Sequence, residues 1–466
     1  MAGQTAEHFD VVIIGAGQSG DPLARAFAAK GKRAALIERD AVGGTCINRG
    51  CTPTKTMIAS ARVAYLARRG ADYGVHTGPI SIDMAAVRGR KRDIVTEFRE
   101  GDEKKLADAN GVALIYGGAT FVDGRTVEVS LRDGGTRTLT APQIVINTGA
   151  RPLVPPIAGL DAVEFLDSTS VMELGAVPEH LIILGGSYIA LEFGQMFRRF
   201  GSRITVVEKS GHLLGHEDPD VADEMAKILA EDGLDILLGA TATKAEKTAG
   251  GVTLTVETRS DGTKTIAGSH LLVAVGRTPN TEDLGLDVAG IETDAQGHIK
   301  VNERLETTAP GVWALGDVKG GPQFTHISYD DYRIVQANLL GGDPRTTTGR
   351  MVPYTMFTDP QLGRVGLTEM EAKAAGKNIK VAKLPMSEVA RAIETDETRG
   401  FMKAVIDADT KQILGAAILG VDGGEVMAVL EVAMMGHLPY TALRDATLAH
   451  PTLAESLNNL FMTVES

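Results

Sequence analysis

Cys46 and Cys51 are the only cysteines in a chain of 466 residues, and they fall five positions apart. The surrounding text is Gly43-Gly44-Thr45-Cys46-Ile47-Asn48-Arg49-Gly50-Cys51-Thr52-Pro53-Thr54-Lys55. A zinc site asks for about four ligands, and no second cysteine pair exists to supply them. One close pair in an otherwise cysteine-free chain reads as a redox dithiol. Two unrelated buried thiols are the plainer alternative. Pro53 and the text from Lys55 to Leu66 predict a helix, with Cys51 at or just before its N-terminus. The partial positive charge there favours thiolate over thiol, the species that thiol–disulfide exchange requires.

A dithiol needs an electron source, and the elements around it suggest one. Asp10-Val11-Val12-Ile13-Ile14 reads as a buried strand running into Gly15-Ala16-Gly17-Gln18-Ser19-Gly20 and a helix to Ala29. A second strand, Arg33 to Ile37, ends in Glu38. This is the strand, glycine turn, helix, strand and acid of a dinucleotide-binding unit. Gly15 makes the tight turn, Gly17 lets a pyrophosphate approach, Gly20 packs the helix on the strand, and Glu38 accepts from a ribose. The order recurs. Leu181-Ile182-Ile183-Leu184 leads into Gly185-Gly186-Ser187-Tyr188-Ile189-Ala190, a helix to Phe200, and the strand Ser202 to Val207 ending in Glu208. Gly15 to Glu38 and Gly185 to Glu208 are both 23 positions. Two units in register imply two bound dinucleotides. For the second, where Ser187 replaces the usual glycine, an ordinary packing turn is the alternative.

The rest of the composition sets bounds. Hydrophobic residues are 43% and charged residues 23%, which is ordinary globular composition and excludes long disorder and fibrous repeats. The length suggests about three domains. The net charge of −13 would repel phosphate backbones, which argues against nucleic acid as a partner. No apolar run approaches the roughly 20 residues of a membrane span. The polar start, Met1 to Asp10, argues against export and for the cytoplasm. The 10 histidines show no metal-ligand spacing, so no structural metal is expected.

Together these features resemble the class I pyridine nucleotide–disulfide oxidoreductases over essentially the whole chain. The most specific marker is Gly-Gly-Thr-Cys…Gly-Cys-x-Pro-Thr-Lys at 43–55. Asn147-Thr148-Gly149-Ala150 and Val275-Gly276-Arg277-Thr278-Pro279-Asn280 resemble the two crossovers between flavin and nicotinamide domains. Ala314-Leu315-Gly316-Asp317-Val318 resembles the second flavin fingerprint, and His450-Pro451-Thr452-Leu453-Ala454-Glu455 the C-terminal catalytic segment.

The resemblance implies an α/β fold with two Rossmann-type domains and a C-terminal α+β dimerisation domain. It implies an FAD-binding domain over 1–148, an NAD(P)-binding domain over 149–274, a central domain completing the FAD site over 275–345, and an interface domain over 346–466. FAD would be held by Gly15, Gly17, Gly20, Glu38, Gly44, Thr45, Lys55, Thr148, Gly149, Gly276, Arg277, Gly316 and Asp317. Gly185, Ser187, Tyr188, Ile189 and Glu208 would hold NADH or NADPH. Glu208 favours the free 2′-hydroxyl of NADH, with Lys209 and Arg203 near enough in sequence to soften its repulsion of a 2′-phosphate. The family pairs Lys55 with Glu192 beside the flavin and uses Tyr188 as a gate.

By the same resemblance, Cys51 is the thiolate nearest the flavin and Cys46 the one that meets substrate. His450 is their acid–base, oriented by Glu455 and acting across a homodimer. A cis bond is expected before Pro451. The Met-rich helix Glu425 to Met435 is read as dimer core. The chain is thus expected to be an NAD(P)H-dependent flavoprotein reducing an oxidised acceptor through Cys46–Cys51. Dihydrolipoamide dehydrogenase, a mercuric- or cupric-type metal-ion or quinone reductase, and a non-catalytic flavin sensor are the alternatives. Phe324-Thr325-His326-Ile327-Ser328-Tyr329-Asp330-Asp331 departs from the lipoamide branch and resembles mercuric-reductase relatives. The end, Leu460 to Ser466, lacks the second cysteine pair that mercuric reductases usually carry.

Overall fold

The computed structural model describes residues 6–259 and 262–464. Residues 1–5 of the polar start and 465–466 of the final segment lie outside them. Among the described residues no helix is long and apolar enough to cross a membrane. The chain divides into two compact bodies, each taken here by itself.

The first body comprises Met1–Thr56, Ala86–Leu153 and Gly276–Arg350. Its sheet has eight strands in the order Glu7–His8, Thr136–Thr140, Thr126–Leu131, Val112–Asp123, Ala34–Glu38, Val11–Ile14, Gln143–Ile146 and Val312–Ala314. Val11–Ile14 pairs in parallel with Ala34–Glu38 on one side and Gln143–Ile146 on the other. All four of its residues are buried, as a strand covered on both faces must be, which is why it reads as a continuous apolar run. Gly15 therefore leaves the carboxyl end of a central strand, where dinucleotide folds bind their ligands. Val112–Asp123 begins parallel to Ala34–Glu38 and ends antiparallel to Thr126–Leu131. Apolar clusters around Val12 and Ile144, and around Leu23 and Leu36, form its cores. A short ribbon pairs Ala150–Pro152 with Arg277–Pro279.

The second body comprises Met57–Ala85, Val154–Val275 and Met351–Ser466. A parallel sheet runs Leu234–Leu237, Arg203–Val207, His180–Leu184, His270–Val273. A three-stranded antiparallel sheet accompanies it, built from Ala240–Thr248, Gly251–Thr258 and Gly262–Gly268. The C-terminal part is α+β. Five strands, Tyr354–Met356, Gln361–Gly366, Ile413–Gly420, Phe401–Asp407 and Ile379–Pro385, pack under the helices Gly423–Met435, Tyr440–Arg444 and Ser456–Met462. The expected architecture, two Rossmann-type units and a C-terminal α+β part, is the one found. The Met-rich helix uses Val426, Met427, Leu430 and Ala433 in its own core and leaves Val432 and Met435 exposed.

Candidate active site

The two cysteines sit on two different helices. Cys46 lies in the short helix Gly44–Arg49, and Cys51 is the first residue of Cys51–Arg68. Gly43 and Gly44 enter with φ of 93° and 60°, left-handed values that glycine adopts without strain. Asn48 closes the short helix, its Nδ2 donating to the carbonyls of Val42 at 2.8 Å and Gly44 at 3.0 Å. Gly50 makes the joint, where a Cβ would stand 3.0 Å from the Thr45 carbonyl oxygen.

The two thiols are chemically unequal. Cys46 is pushed up because its thiol hydrogen-bonds Cys51, is largely buried, and faces the negative charge that Cys51 develops; Thr325 and the Lys55 cation act against this rise. The rise sets Cys46 apart from Cys51 as the thiol that holds its proton more tightly than an ordinary cysteine. Cys51 Sγ also lies 3.3 Å from Thr325 Oγ1, at the start of the helix Thr325–Leu340. Two helix N-termini and a hydroxyl thus converge on one sulfur, each favouring thiolate.

The dithiol segment is built onto the first glycine turn. Gly43 N donates to the Ala16 carbonyl at 2.9 Å, and a Cβ on Gly44 would stand 2.8 Å from Gly17 Cα. Gly15 has φ of 108°, and a Cβ there would strike the Asn147 carbonyl oxygen at 2.3 Å. A Cβ on Gly20 would lie 2.0 Å from the Gly15 oxygen, so the helix reaches the strand only as glycine. Glu38 folds back on the turn, its Oε2 accepting from Ala16 N at 2.9 Å and its Oε1 from Asp40 N at 2.7 Å. This side-chain-free, N–H-rich cradle with an acid beside it fits the diphosphate and ribose of FAD.

The crossovers close the same body. Thr148 Oγ1 donates to the Asn280 carbonyl and Asn280 Nδ2 to the Thr148 carbonyl, both at 2.8 Å. Gly149 has φ of 68° and accepts from Asn280 N at 3.0 Å. Gly276, at φ 139°, accepts from Leu153 N. Arg277 hydrogen-bonds the Ala150 carbonyl and approaches Asp317, Nε to Oδ2, at 3.8 Å. Burial pushes the Asp317 carboxyl up, while Arg277 and Lys319 hold it down. Gly316 N donates to Asp331 Oδ2 at 2.9 Å.

The second unit repeats the first within the second body. Gly185 has φ of 109°, and a Cβ there would meet the Ala274 oxygen at 2.4 Å. Ser187 is exposed and precedes the helix Tyr188–Phe200, whose first residues Tyr188 and Ile189 are half-buried. Glu208 Oε1 accepts from Ser210 N at 2.7 Å, matching Glu38 and Asp40. Arg203 does not serve this acid. It pairs with Asp235 at 3.3 Å, at the opposite end of the strand Arg203–Val207 from Glu208. Sequence proximity misled here because an extended strand carries its ends apart. Glu192 is buried, and its Oε1 accepts from Phe357 N at 2.8 Å. Lys55 belongs to the first body and Glu192 to the second.

His450 is exposed, with both Glu455 oxygens on its Nδ1 at 2.9 and 3.1 Å, so the pair is made through Nδ1 and not Nε2. The bond before Pro451 is cis, as is that before Pro360. Among the described residues no group of three or more His, Cys, Asp or Glu could hold a metal ion.

The pyridine nucleotide-disulphide oxidoreductase pattern matches residues 9–331, and the dimerisation domain of the same oxidoreductases matches 352–461. The chain belongs to the pyridine nucleotide–disulphide oxidoreductases. Members of this family are FAD-dependent and use NAD(P)H, and the chain is an enzyme of that class. It is 41% identical over 461 residues to the probable pyridine nucleotide-disulfide oxidoreductase RclA of Escherichia coli, covering 98% of this chain and 99% of that one. It is 35% identical over 457 residues to a mercuric reductase of Staphylococcus aureus, covering 98% and 82%. A solved Cu(II) complex of the HOCl-induced flavoprotein disulfide reductase RclA from Escherichia coli aligns with a TM-score of 0.89 at 39% identity, covering 98% of this chain and 100% of that one.

Three residues that the sequence offered only as members of longer segments acquire individual contacts in the fold. Thr325 meets Cys51. Asn147 supplies the carbonyl against Gly15 and places its Oδ1 3.1 Å from a Cβ on Gly316. Ser328 binds Ser19, through its carbonyl at 2.6 Å and its hydroxyl at 2.5 Å, joining the helices Gly20–Ala29 and Thr325–Leu340. Thr325 and Ser328 both fall in the segment that departs from the lipoamide branch.

Proposed function

We propose that this enzyme is a homodimer that draws electrons from NADH and passes them through Cys46–Cys51 to an oxidised acceptor, with a disulfide the first candidate. The observation that carries this reading is the dithiol's placement, with Cys46 and Cys51 on two successive helices and Thr325 Oγ1 3.3 Å from Cys51 Sγ. FAD, when bound, supplies the hydride acceptance and two-electron relay that no side chain provides. Gly15, Gly17, Gly20, Glu38, Gly44, Thr45, Lys55, Thr148, Gly149, Gly276, Arg277, Gly316 and Asp317 would hold it. Gly185, Ser187, Tyr188, Ile189 and Glu208 would take the nucleotide, with Tyr188 as gate and Glu192 and Lys55 as the charged groups of the redox centre. The division at 148/149, 274/275 and 345/346 assigns these roles to FAD, nucleotide, central and interface domains.

Chemistry at the dithiol follows from its protonation. Cys46 needs a base before it can attack, and His450 of the partner subunit, held by Glu455, is that base. The Cys46 thiolate attacks one sulfur of the acceptor disulfide, and the departing thiolate takes the proton from His450. Cys51 then attacks Cys46 in the mixed disulfide and expels the second thiolate, which takes a proton from water. Two thiols leave, and Cys46–Cys51 is oxidised by the same two electrons. The cytoplasm, which keeps thiols reduced, suits such an enzyme.

A metal ion is the second reading. The Cu(II) complex of RclA favours it, and thiolates are soft ligands that select the reduced ion, Cu(I). An acceptor panel of lipoamide, glutathione disulfide, mercuric and cupric ions and a quinone, run with wild type and His450→Gln, separates the two. A disulfide substrate predicts turnover falling about 10²–10⁴-fold in the variant, the scale of a lost acid–base. Cupric turnover dominant in wild type and retained in the variant would favour the metal reading.

A further inference from the structure

Residues 209–218 leave Glu208, run past the second glycine turn and enter the helix Pro219–Glu231. The near half of this segment is the wall of the turn. Ser210 N is held by Glu208, and Ser210 O accepts from Gly239 N at 2.7 Å. Leu213 is fully buried, and its Cδ2 stands 2.8 Å from where a Cβ on Gly186 would be. Leu214, at φ of 52°, donates from its N to the Gly186 carbonyl at 3.0 Å.

The far half is fastened to the C-terminal sheet by two consecutive carboxylates. Glu217 is only 2% exposed. Tyr354 donates its hydroxyl to Glu217 Oε1, and Arg364 Nε lies 3.3 Å from Oε2. Tyr354 and Arg364 are direct register partners on adjacent antiparallel strands, so they form two prongs of one clamp. Asp218 accepts from Glu369 N at 2.9 Å and Met370 N at 3.0 Å, and pairs with Lys403 at 3.1 Å. Glu217 N donates back to the Leu214 carbonyl at 2.8 Å, so the clamp reaches directly to the residue that bonds Gly186. Asp218 already ties the helix start to the C-terminal part, whereas Glu217 alone connects through Leu214 to the glycine turn.

We infer that Glu217 is a positioning residue for nicotinamide-nucleotide binding, holding residues 209–218 so that Gly186 and Glu208 stand ready for the adenosine half. This rests on the reading of the second unit as the nucleotide site. Loosening the clamp moves the wall of the turn, so nucleotide affinity is the quantity that falls.

The test uses FAD-loaded enzyme and two variants, Glu217→Gln and Tyr354→Phe, the second removing only a hydroxyl. Calorimetry with ADP-ribose and 2′-phospho-ADP-ribose reports binding, and steady-state kinetics with NADH and NADPH splits KM from kcat. Each variant should weaken binding of the better analogue and raise the matching KM about tenfold, with kcat within about twofold, the scale of one lost hydrogen bond to a charged group. Wild-type affinity in both variants, or kcat falling at constant KM, would overturn the inference. Glu208→Ala is the control on the reading beneath it. If neither analogue binds wild type, or Glu208→Ala binds them equally well, the nucleotide assignment itself fails. If Glu208→Ala weakens binding and the clamp variants do not, only the role of Glu217 fails.

Discussion

Thr325 Oγ1 stands 3.3 Å from Cys51 Sγ, although 274 residues separate the two in the chain. The contact sets a hydroxyl and the first turn of a second helix against the Cys51 sulfur. A hydroxyl donor to the charged form favours that form.

Thr325→Val keeps the shape and removes the donor, so the Cys51 thiolate should become harder to form. Alkylation by iodoacetamide of the NADH-reduced enzyme, followed against pH, measures this. The apparent pKa of the faster thiol should rise by about one unit, the worth of one such hydrogen bond. An unchanged profile would remove Thr325 from the account of the dithiol.

With Arg203 committed to Asp235, Glu208 meets a 2′-phosphate without that cation. NADH should therefore show the higher kcat/KM, and Glu208→Ala should narrow the gap by raising kcat/KM for NADPH. The ratio for the two nucleotides in both proteins is the measurement. A large NADPH advantage in wild type would overturn the argument.

Burial pushes the Glu217 carboxyl up to about 7 from its ordinary 4.5, against the pull of Arg364 and with Asp218 and Glu371 adding to the rise. A raised folded pKa means that the native state binds this proton more tightly than the unfolded chain. The resulting stability is fully present below 4.5 and is lost as pH rises through 7. Between pH 5 and pH 8, wild type should lose roughly 2–3 kcal/mol relative to Glu217→Gln, on the scale of about 1.4 kcal/mol per pKa unit. Urea unfolding of both proteins at the two pH values measures it. Parallel pH dependence would show that Glu217 ionises as an ordinary carboxylate.

Much of this was legible in the sequence, for identifiable reasons. Both glycine turns announced themselves because their backbones admit no Cβ, as the contacts at Gly15, Gly20 and Gly185 display. Val11–Ile14 was readable because burial on both faces demands an unbroken apolar run. The helix beginning at Cys51 carried Pro53 in its first turn.

Other features left no local trace. The short helix Gly44–Arg49 opens on glycine and is too brief for a period to appear. Thr325 and Ser328 could be seen only as a departure from one branch, because their partners Cys51 and Ser19 are hundreds of positions away. The clamp on Glu217 depends on the register of Tyr354 with Arg364, which is a tertiary property. Arg203 was misread for the related reason that its partner Asp235 comes from the neighbouring strand.

The central claim is that electrons leave through a reversible bond between Cys46 and Cys51, and counting thiols tests it most directly. FAD-loaded enzyme, air-oxidised and then reduced anaerobically with excess NADH, is denatured in the presence of a thiol reagent before and after reduction. Both cysteines should be silent before reduction and titrate after it, while Cys46→Ser should show one thiol in both states. Two titratable thiols in the oxidised wild type, or none gained on reduction, would contradict the account.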